Sequence, residues 1–176
     1  MSPLDKEISQ ERLTMMKIDI TLKQIFQAKE RIDHMIRTTP VVDSPELSAH
    51  LGRQVHLKLE NLQKTGSFKL RGAANALLSL SETQKERGVL AFSTGNHGRA
   101  VAWVAREMGI RCVVCLSKRV PPFRVEAMER FGAQVVQEGS SQDDAYEVAL
   151  KLEKDDKLTM VSPFDDPFVI AGQGTI

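Results

Sequence analysis

The chain has 176 residues, of which 41% are hydrophobic and 27% are charged, and its formal net charge at pH 7 is +1. This length suits one ordinary domain with a real core, and the balanced charge and 5% aromatic content exclude a basic stripe or aromatic platform for nucleic acid. The sequence contains no apolar run that could span a membrane, and its charged start, MSPLDKEISQERLTMMK, lacks the apolar core of a signal peptide, so we expect a soluble cytoplasmic protein.

The first part of the chain predicts short helices and one strand. Residues 1–19 have no clear period and are interpreted as an N-terminal extension. Thr21 is a possible cap for a helix whose apolar residues fall on one stripe: Leu22, Ile25, Phe26, Ile32 and Ile36. The run TTPVVDSPELSAHLG predicts two proline-marked turns around a short helix that ends at Gly52. The run QVHLKLE alternates as a strand does.

The next helix carries a lysine, Lys69, at an unfavourable position. Ser67 is a plausible N-cap, which places Phe68, Lys69 and Leu70 in the first helical turn. The predicted buried stripe consists of Leu70, Ala73, Ala74, Leu77 and Leu78. A cation in the first turn faces the positive end of the helix dipole, which favours the neutral amine that a nucleophilic or Schiff-base lysine needs. The simpler alternative is a lysine that snorkels at the surface. Arg71 and Lys64 are interpreted as solvated or paired with carboxylates.

Strands and helices then alternate along the chain. The strands are GVLAFS, RCVVCLS, AQVVQEG and LTMVSP, and the helices between them are NHGRAVAWVAREMG, PPFRVEAMERFG and SQDDAYEVALKLEKDD, the last capped by Ser141. Helices of this length between strands predict right-handed crossovers and a parallel sheet, and hence an α/β fold. The closing run DDPFVIAGQGTI predicts the start of a helix with neither a cap nor a following strand, as in a fold cut within an element.

The cysteines and histidines do not indicate a metal site. Cys112 and Cys115 have the Cys-x-x-Cys spacing of redox and zinc motifs. They lie on a continuous β-branched run, however, where residues three apart point to opposite faces of the sheet, so we expect both thiols in the core. The four histidines show no ligand spacing, and no metal is predicted.

A polar turn follows the first of the alternating strands, in FSTGNHG. Gly95 permits a backbone conformation that would strain other residues, and its neighbours Ser93, Thr94, Asn96 and His97 supply donors. The N–H groups at the start of the following helix favour an anion. The turn lacks the GxGxxG pattern, and no acidic residue ends the next strand, so a dinucleotide is disfavoured. An equally good interpretation is that the turn binds no anion and that its polar residues only cap the helix.

Four runs together carry a resemblance to a known family: KTGSFKLRGA, STGNHG, RVEAMERFGAQVV and PFDDPFVIAGQGTI. They resemble the fold-type II pyridoxal-phosphate enzymes, which have the tryptophan synthase β-like fold, and within these the threonine/serine dehydratase and serine racemase branch. GNHG in place of GNTG argues against the cysteine synthase branch, and FKLRG in place of FKDRG argues against threonine synthase. STGNHGRAV with SQDDA is also similar to the dehydratase-like group of hydroxyectoine utilisation.

The resemblance implies roles for individual residues. Lys69 would form the Schiff base with pyridoxal 5'-phosphate, Phe68 would pack on its pyridine ring, and Asn96 would hydrogen-bond its phenolic oxygen. The residues from Ser93 to His97, namely Ser93, Thr94, Gly95, Asn96 and His97, would receive the substrate carboxylate. The implied reaction is β-elimination from a β-hydroxy amino acid such as threonine or serine, giving a 2-oxo acid and ammonia. Lys69 would be the base that removes the Cα proton.

One residue departs from the family pattern and leaves the reaction type open. Dehydratases of this branch tend to have alanine at the position of Thr94, whereas serine racemases have a serine that serves the opposite face of Cα. The Thr94 hydroxyl could act in the same way, so racemisation is an alternative. Equally, the hydroxyl could simply bond the backbone of the turn.

The domain organisation implied by the resemblance is incomplete. Residues 20–85 would form the first part of a large cofactor-binding domain, 86–160 a small α/β domain, and 161–176 the return to the large domain. The glycine-rich loop for the cofactor phosphate and the residue facing the pyridine nitrogen do not occur in this sequence, so we expect the C-terminal half of the large domain to be missing. A homo-oligomer, dimer or tetramer, is implied for the full-length enzyme. An inactive fragment without the phosphate loop is the alternative.

Overall fold

The computed structural model describes residues 19–176, so the extension predicted over residues 1–19 lies almost wholly outside the described residues. Helix α1 (Leu22–Ile32) begins as predicted, because the Thr21 hydroxyl accepts from the Gln24 N–H while the Gln24 side chain accepts from the Thr21 N–H. Ile32 is fully buried, but Leu22 and Phe26 are 73% and 61% exposed. The predicted apolar stripe is therefore buried only at its C-terminal end.

A small antiparallel sheet follows the first helix. Strand β1 (Val41–Asp43) pairs with β2 (His56–Lys58), and helix α2 (Pro45–Leu51) connects them. The sequence predicts β2 and the short helix but not β1, whose three residues stand between two proline-marked turns. Helix α2 ends at Gly52, which has a φ of +63°, as the prediction requires. A turn of 3-10 helix (Glu60–Leu62) leads on to the lysine helix.

The lysine helix, α3 (Lys69–Leu78), is buried on nearly all sides, including the predicted positions Leu70, Ala73, Ala74 and Leu77. The next helix, α4 (Glu82–Arg87), does not appear among the predicted elements. Its signal is the capping box formed by Ser81 and Gln84, a pattern visible in the sequence SETQ.

The four strands predicted in the second half form one parallel sheet, in the order β5-β4-β3-β6. The strands are β3 (Val89–Phe92), β4 (Cys112–Leu116), β5 (Gln134–Gln137) and β6 (Thr159–Met160). The connecting helices are α5 (Asn96–Glu107), α6 (Pro122–Glu129) and α7 (Gln142–Asp155). This confirms the α/β class with a parallel sheet and flanking helices, and it brings the ends of all four strands to one edge.

The two cysteines lie on opposite faces of β4, as predicted. Cys112 belongs to the larger apolar cluster that includes residues of α5, and Cys115 belongs to the smaller cluster beneath α7. Burial raises the pKa of the Cys112 thiol to about 12. Burial, with the nearby charge of Glu138, raises the pKa of Cys115 to about 11. Both thiols are therefore protonated core residues rather than nucleophiles.

Helix α8 (Pro167–Gln173) packs directly against α3 through glycines. A Cβ added to Gly72 would lie 2.8 Å from the carbonyl oxygen of Val169, and one added to Gly172 would lie 2.6 Å from that of Arg71. The two backbones can approach this closely only without side chains at the crossing, so α8 fixes the position of the lysine helix.

Helix α8 has a clear N-terminal cap. The Asp166 carboxylate accepts from the backbone N–H groups of Phe168 and Val169, which confirms the acidic start that the sequence indicates. At the other end the Gly174 N–H donates to Ile170 O in the ordinary helical pattern and Gly174 keeps a helical φ of −62°, so the expectation of a helix without a C-terminal cap is not contradicted. None of the helices over residues 19–176 combines the length and hydropathy needed to cross a bilayer.

Candidate active site

The predicted polar turn lies at the edge where the parallel strands end. It runs from Ser93 at the end of β3 to His97 in the first turn of α5, and the Ser93 hydroxyl accepts from the Gly95 N–H at 3.4 Å. Gly95 has a φ of −142°, so it is not in the left-handed region, and a Cβ there would meet no atom within 4 Å. The prediction that Gly95 is required for its backbone conformation is therefore not supported; instead the glycine leaves space open beside the turn.

The His97 side chain does not join the donors of this turn. It is buried, and its Nε2 lies 2.9 Å from the Val161 carbonyl oxygen, just beyond β6. Burial lowers the pKa of His97 to about 4, and the positive charge of Lys69 lowers it further, against the opposing effect of the bond to Val161. The imidazole is therefore neutral at pH 7, and Nε2 carries the proton that it donates to Val161.

This buried imidazole predicts a pH-dependent stability. Because the folded-state pKa is depressed, the unfolded chain binds a proton more readily, so stability falls as the pH falls from about 6.5 to about 4. We expect a loss of about 3 kcal/mol of unfolding free energy across this window. Urea unfolding at a series of pH values measures the slope. His97→Gln, which keeps an amide donor, should flatten the slope; an equal slope in both proteins would contradict the assignment.

Lys69 is the first residue of α3 and is half-buried. Among residues 19–176 its amine forms no ion pair or hydrogen bond, and it lies 5.1 Å from the centroid of the Phe68 ring. Ser67 does not cap the helix: the N-cap is Phe68, whose side chain cannot accept a bond, and the Ser67 hydroxyl is buried without a partner in the described chain. The predicted cap is wrong, and the start of the helix is left open to an external group.

The lysine segment and the polar turn are brought together in space. The Arg99 guanidinium, on α5, donates to the Thr65 carbonyl oxygen at 2.8 Å, which ties the helix after the turn to the loop before Lys69. The charge of Lys69 acts on the pKa of His97, so the amine lies within electrostatic reach of the turn. Asn96 is exposed and Phe68 is 38% exposed, so both side chains are accessible.

Buried polar atoms without partners concentrate around these two segments. Within residues 19–176 there are five such atoms, and four of them belong to Thr65, Ser67, His97 and Arg99. Buried polar groups in native proteins are nearly always hydrogen-bonded, so each orphan indicates a missing partner. The residues present therefore fit a polar, multiply hydrogen-bonding group placed between the lysine and the turn.

A cavity of about 440 Å³ opens beside the turn. Its walls include Thr94, Asn96 and two arginines, Arg99 and Arg124, and the Arg124 guanidinium reaches the Thr94 carbonyl oxygen at 3.4 Å. Two guanidinium groups and the N–H groups at the start of the twelve-residue helix α5 make this cavity favourable for an anion. Neither arginine was predicted from the sequence, and for Arg124 no spacing rule links a residue of α6 to a turn before α5.

A buried ion pair anchors the lysine helix from its other side. The Arg71 guanidinium makes two 2.8 Å bonds to the Glu60 carboxylate, and it also donates to the Thr175 carbonyl and hydroxyl oxygens. Burial opposes the charge of Glu60, but hydrogen bonds from Arg71, Thr39 and Gln63 hold the pKa of that carboxyl below its usual value. Of the two alternatives predicted for Arg71, solvation or pairing with a carboxylate, the structure shows the pairing.

Lys64, the other lysine of this segment, lies outside the site. It is exposed, and its amine lies 4.9 Å from the centroid of the Trp103 ring. No three His, Cys, Asp or Glu side chains within residues 19–176 come together as metal ligands would.

Fold and site define an α/β protein in which a lysine helix packs against the helix that follows a polar turn, where parallel strands end. Residues 32–176 match the family model of the pyridoxal-phosphate dependent enzymes, and the chain belongs to that family. It is 47% identical over 158 residues to a protein of Sinorhizobium fredii whose provisional name is threonine dehydratase, covering 90% of this chain and 48% of that protein. It is 43% identical to the L-threonine ammonia-lyase of Thermotoga maritima, covering 89% and 39%.

A solved structure shows the same fold. The serine racemase from Dictyostelium discoideum superposes with a TM-score of 0.83 at 36% identity, over 89% of this chain and 51% of the racemase. The parallel α/β architecture predicted from the sequence is therefore that of a fold-type II enzyme of this family. The chain spans about half the length of the relatives that it matches.

Proposed function

We propose that this chain is part of a pyridoxal-phosphate dependent lyase that dehydrates and deaminates a β-hydroxy amino acid, such as threonine or serine, to a 2-oxo acid and ammonia. The observation that carries the proposal is the placement of Lys69, without a partner among residues 19–176, on a helix that packs against α5 and within electrostatic reach of the turn that begins at Ser93. The names of the relatives, a threonine ammonia-lyase and a threonine dehydratase, support the same reaction class.

Three residues are proposed to hold pyridoxal 5'-phosphate: Lys69 through its amine, Phe68 through its ring and Asn96 through its side-chain amide. The accessible ring of Phe68 and the exposed amide of Asn96 support this assignment, as do the unpartnered hydroxyls of Thr65 and Ser67. When bound, this cofactor supplies the electron sink that makes a Cα proton of an amino acid removable. The turn and the lysine helix are proposed to orient the substrate, and so to determine which of its bonds can react.

The turn is proposed to bind the substrate carboxylate. Its residues Ser93, Thr94, Gly95, Asn96 and His97 would offer backbone N–H groups and hydroxyls at the start of α5, where the helix dipole favours a negative charge. Arg124 adds a positive charge to the same cavity. The buried His97 side chain would contribute by tying the turn to Val161 rather than by contacting the substrate.

Lys69 is also proposed as the base that removes the Cα proton. Its side chain extends from the first residue of α3, and among residues 19–176 no ion pair or hydrogen bond occupies its amine. The test uses the protein expressed from the complete gene and loaded with the cofactor, and it measures ammonia and 2-oxo acid released from L-threonine and L-serine. Release of both products in equal amounts is expected. Cofactor binding without either product would overturn the proposed reaction.

Racemisation is a second candidate, because the chain superposes on a serine racemase and carries a hydroxyl at Thr94 in the cavity wall. Among the described residues the Thr94 hydroxyl has no hydrogen bond to the turn backbone. Racemisation needs a second acid or base group on the face of Cα opposite Lys69, and the Thr94 hydroxyl is proposed as that group. Elimination needs only the base Lys69 and therefore does not depend on Thr94.

Substituting Thr94 separates the two activities. In Thr94→Ala we expect any racemisation to fall by about a hundredfold, while the rate of elimination changes by less than about threefold. Chiral chromatography of the residual amino acid and an ammonia assay measure both rates in one sample. Equal losses of both activities would show that Thr94 serves only the turn.

The remaining sequence predictions concern the whole protein. The division at residues 20–85, 86–160 and 161–176, assembly into a dimer or tetramer, and location in the cytoplasm stay predictions. Membership of the hydroxyectoine-utilisation group also stays a prediction.

A further inference from the structure

A second groove lies on the face of the parallel sheet that α7 covers, whereas α5 covers the other face. Its volume is about 410 Å³, and it runs between helix α7 and the segment that follows β6. Three aromatic rings form its wall: Phe92 lies 4.6 Å from Tyr146 and 6.2 Å from Phe164, measured between ring centroids. Tyr146 and Phe164 are 39% and 65% exposed, so their rings are available to a ligand.

The charges along this groove all have the same sign. Asp143, Glu153 and Asp165 line it, and neither lysine nor arginine does. Within residues 19–176 none of these three carboxylates takes part in an ion pair or accepts a hydrogen bond. This combination of aromatic faces and unpaired carboxylates attracts an organic cation and repels an anion.

The spacing of the groups gives the groove a direction. Asp143, Tyr146, Leu150 and Glu153 follow one another at intervals of three and four residues, so they form one stripe along α7. The two acidic ends of this stripe are about 15 Å apart, from the rise of an α-helix. Because β5 and β6 run parallel in one sheet, α7 begins and the segment carrying Asp165 follows at the same edge of that sheet, and Tyr146 lies one helical turn from Asp143 but two turns from Glu153.

We propose that this groove binds a linear aliphatic amine that carries an ammonium group at or near each end, the chemistry of a polyamine. One ammonium group pairs with Asp143 and Asp165 beside the ring faces of Tyr146 and Phe164, the methylene chain follows the apolar stripe past Leu150, and the second ammonium group reaches Glu153. The site is separate from the proposed catalytic pocket and does not depend on the proposed reaction. Phe92 immediately precedes Ser93, so the ligand would contact the strand that carries the turn.

Calorimetric titration of the protein from the complete gene with two diamines of equal charge tests the proposal. Decamethylenediamine carries its ammonium groups far apart, whereas putrescine carries them close together. We expect decamethylenediamine to bind about tenfold more tightly, because only it can reach both acidic ends while covering the aromatic rings. Equal affinities, or the absence of binding because another part of the protein or a second copy covers the groove, would overturn the proposal.

Variants identify the groove as the place of binding. Glu153→Gln should weaken decamethylenediamine about threefold and leave putrescine nearly unchanged, and Tyr146→Leu should weaken decamethylenediamine by about threefold to tenfold. The matched control is Glu129→Gln, which removes an exposed, unpaired carboxylate from α6, away from the groove. Circular dichroism confirms the fold of each variant. If Glu153→Gln binds decamethylenediamine as Glu129→Gln does, the assignment is wrong.

Discussion

Replacing Lys69 with alanine should abolish the visible absorption band of the bound cofactor and lower turnover of a β-hydroxy amino acid by at least about a thousandfold. The expectation follows from two properties of this side chain. Its amine is free of partners among residues 19–176, and its helix packs against the helix that follows the turn proposed to receive the substrate carboxylate. No other lysine in the described chain combines these properties, so no neighbouring amine can replace it.

Two further variants make this result specific. Lys69→Arg keeps the positive charge at the start of α3 but cannot supply a neutral amine, and it should lose turnover as fully as alanine does. Lys64→Ala removes an exposed lysine five positions earlier that contacts only the Trp103 ring, and it should keep both the band and the activity. If the band persists in Lys69→Ala, the assignment of the cofactor lysine is wrong.

Replacing Glu60 with glutamine should destabilise the protein by about 3 to 5 kcal/mol, because it leaves the buried guanidinium of Arg71 without a counter-charge. A loss of this size is a large part of the stability of a typical domain. Urea unfolding measures this loss: the urea concentration at the midpoint should fall, while the dependence of the unfolding free energy on urea concentration should stay the same. The change should also loosen the lysine helix, because Arg71 lies two residues after Lys69 and joins α3 to the segment around Thr175.

An exposed ion pair provides the matched control for the buried one. Glu82→Gln breaks the pair of Glu82 with Lys85 at the surface of α4, and it should change stability by less than about 1 kcal/mol. Equal midpoints for Glu60→Gln and Glu82→Gln would show that the buried pair contributes no more than a surface pair does.

Acid should weaken the same ion pair in the unsubstituted protein. The pKa of Glu60 is lower in the folded than in the unfolded chain, so its contribution is complete above the ordinary glutamate pKa of 4.5 and is lost as the pH falls through the folded-state value. This window lies below most of the His97 window. We therefore expect the free energy of unfolding to fall a second time below the His97 window. This second fall is assigned to the Glu60 carboxyl if it is absent from Glu60→Gln.

The sequence predicted the elements that depend on local pattern. The alternation of strand and helix patterns predicted the parallel sheet. Thr21 and Ser141 cap the helices that they were expected to cap. Cys112 and Cys115 point to opposite faces of the sheet because neighbouring strand residues alternate between faces. The family was indicated by short runs around Lys69 and Asn96, and the family comparison confirms it. Each of these inferences uses residues only a few positions apart.

Helix ends and single-turn details were predicted less well. Ser67 was expected to cap α3, but its hydroxyl is buried without a partner among the described residues, and the φ of Gly95 does not require glycine. His97 was expected to be one of the donors around the turn, but its side chain bonds Val161 instead. For His97 a contact with a distant segment decides the side-chain direction, and local propensity does not contain that information.

The sequence by itself determined the α/β class, the family, and the lysine and turn that are proposed to carry the chemistry. Only the tertiary structure decided what surrounds them: the bonds from Arg71 to Glu60 and Thr175, the bond from Arg99 to Thr65, and the crossing of α3 and α8 at Gly72 and Gly172. The physical reason is that periodicity and capping depend on neighbours along the chain, whereas burial and charge pairing depend on which distant segments the fold brings together.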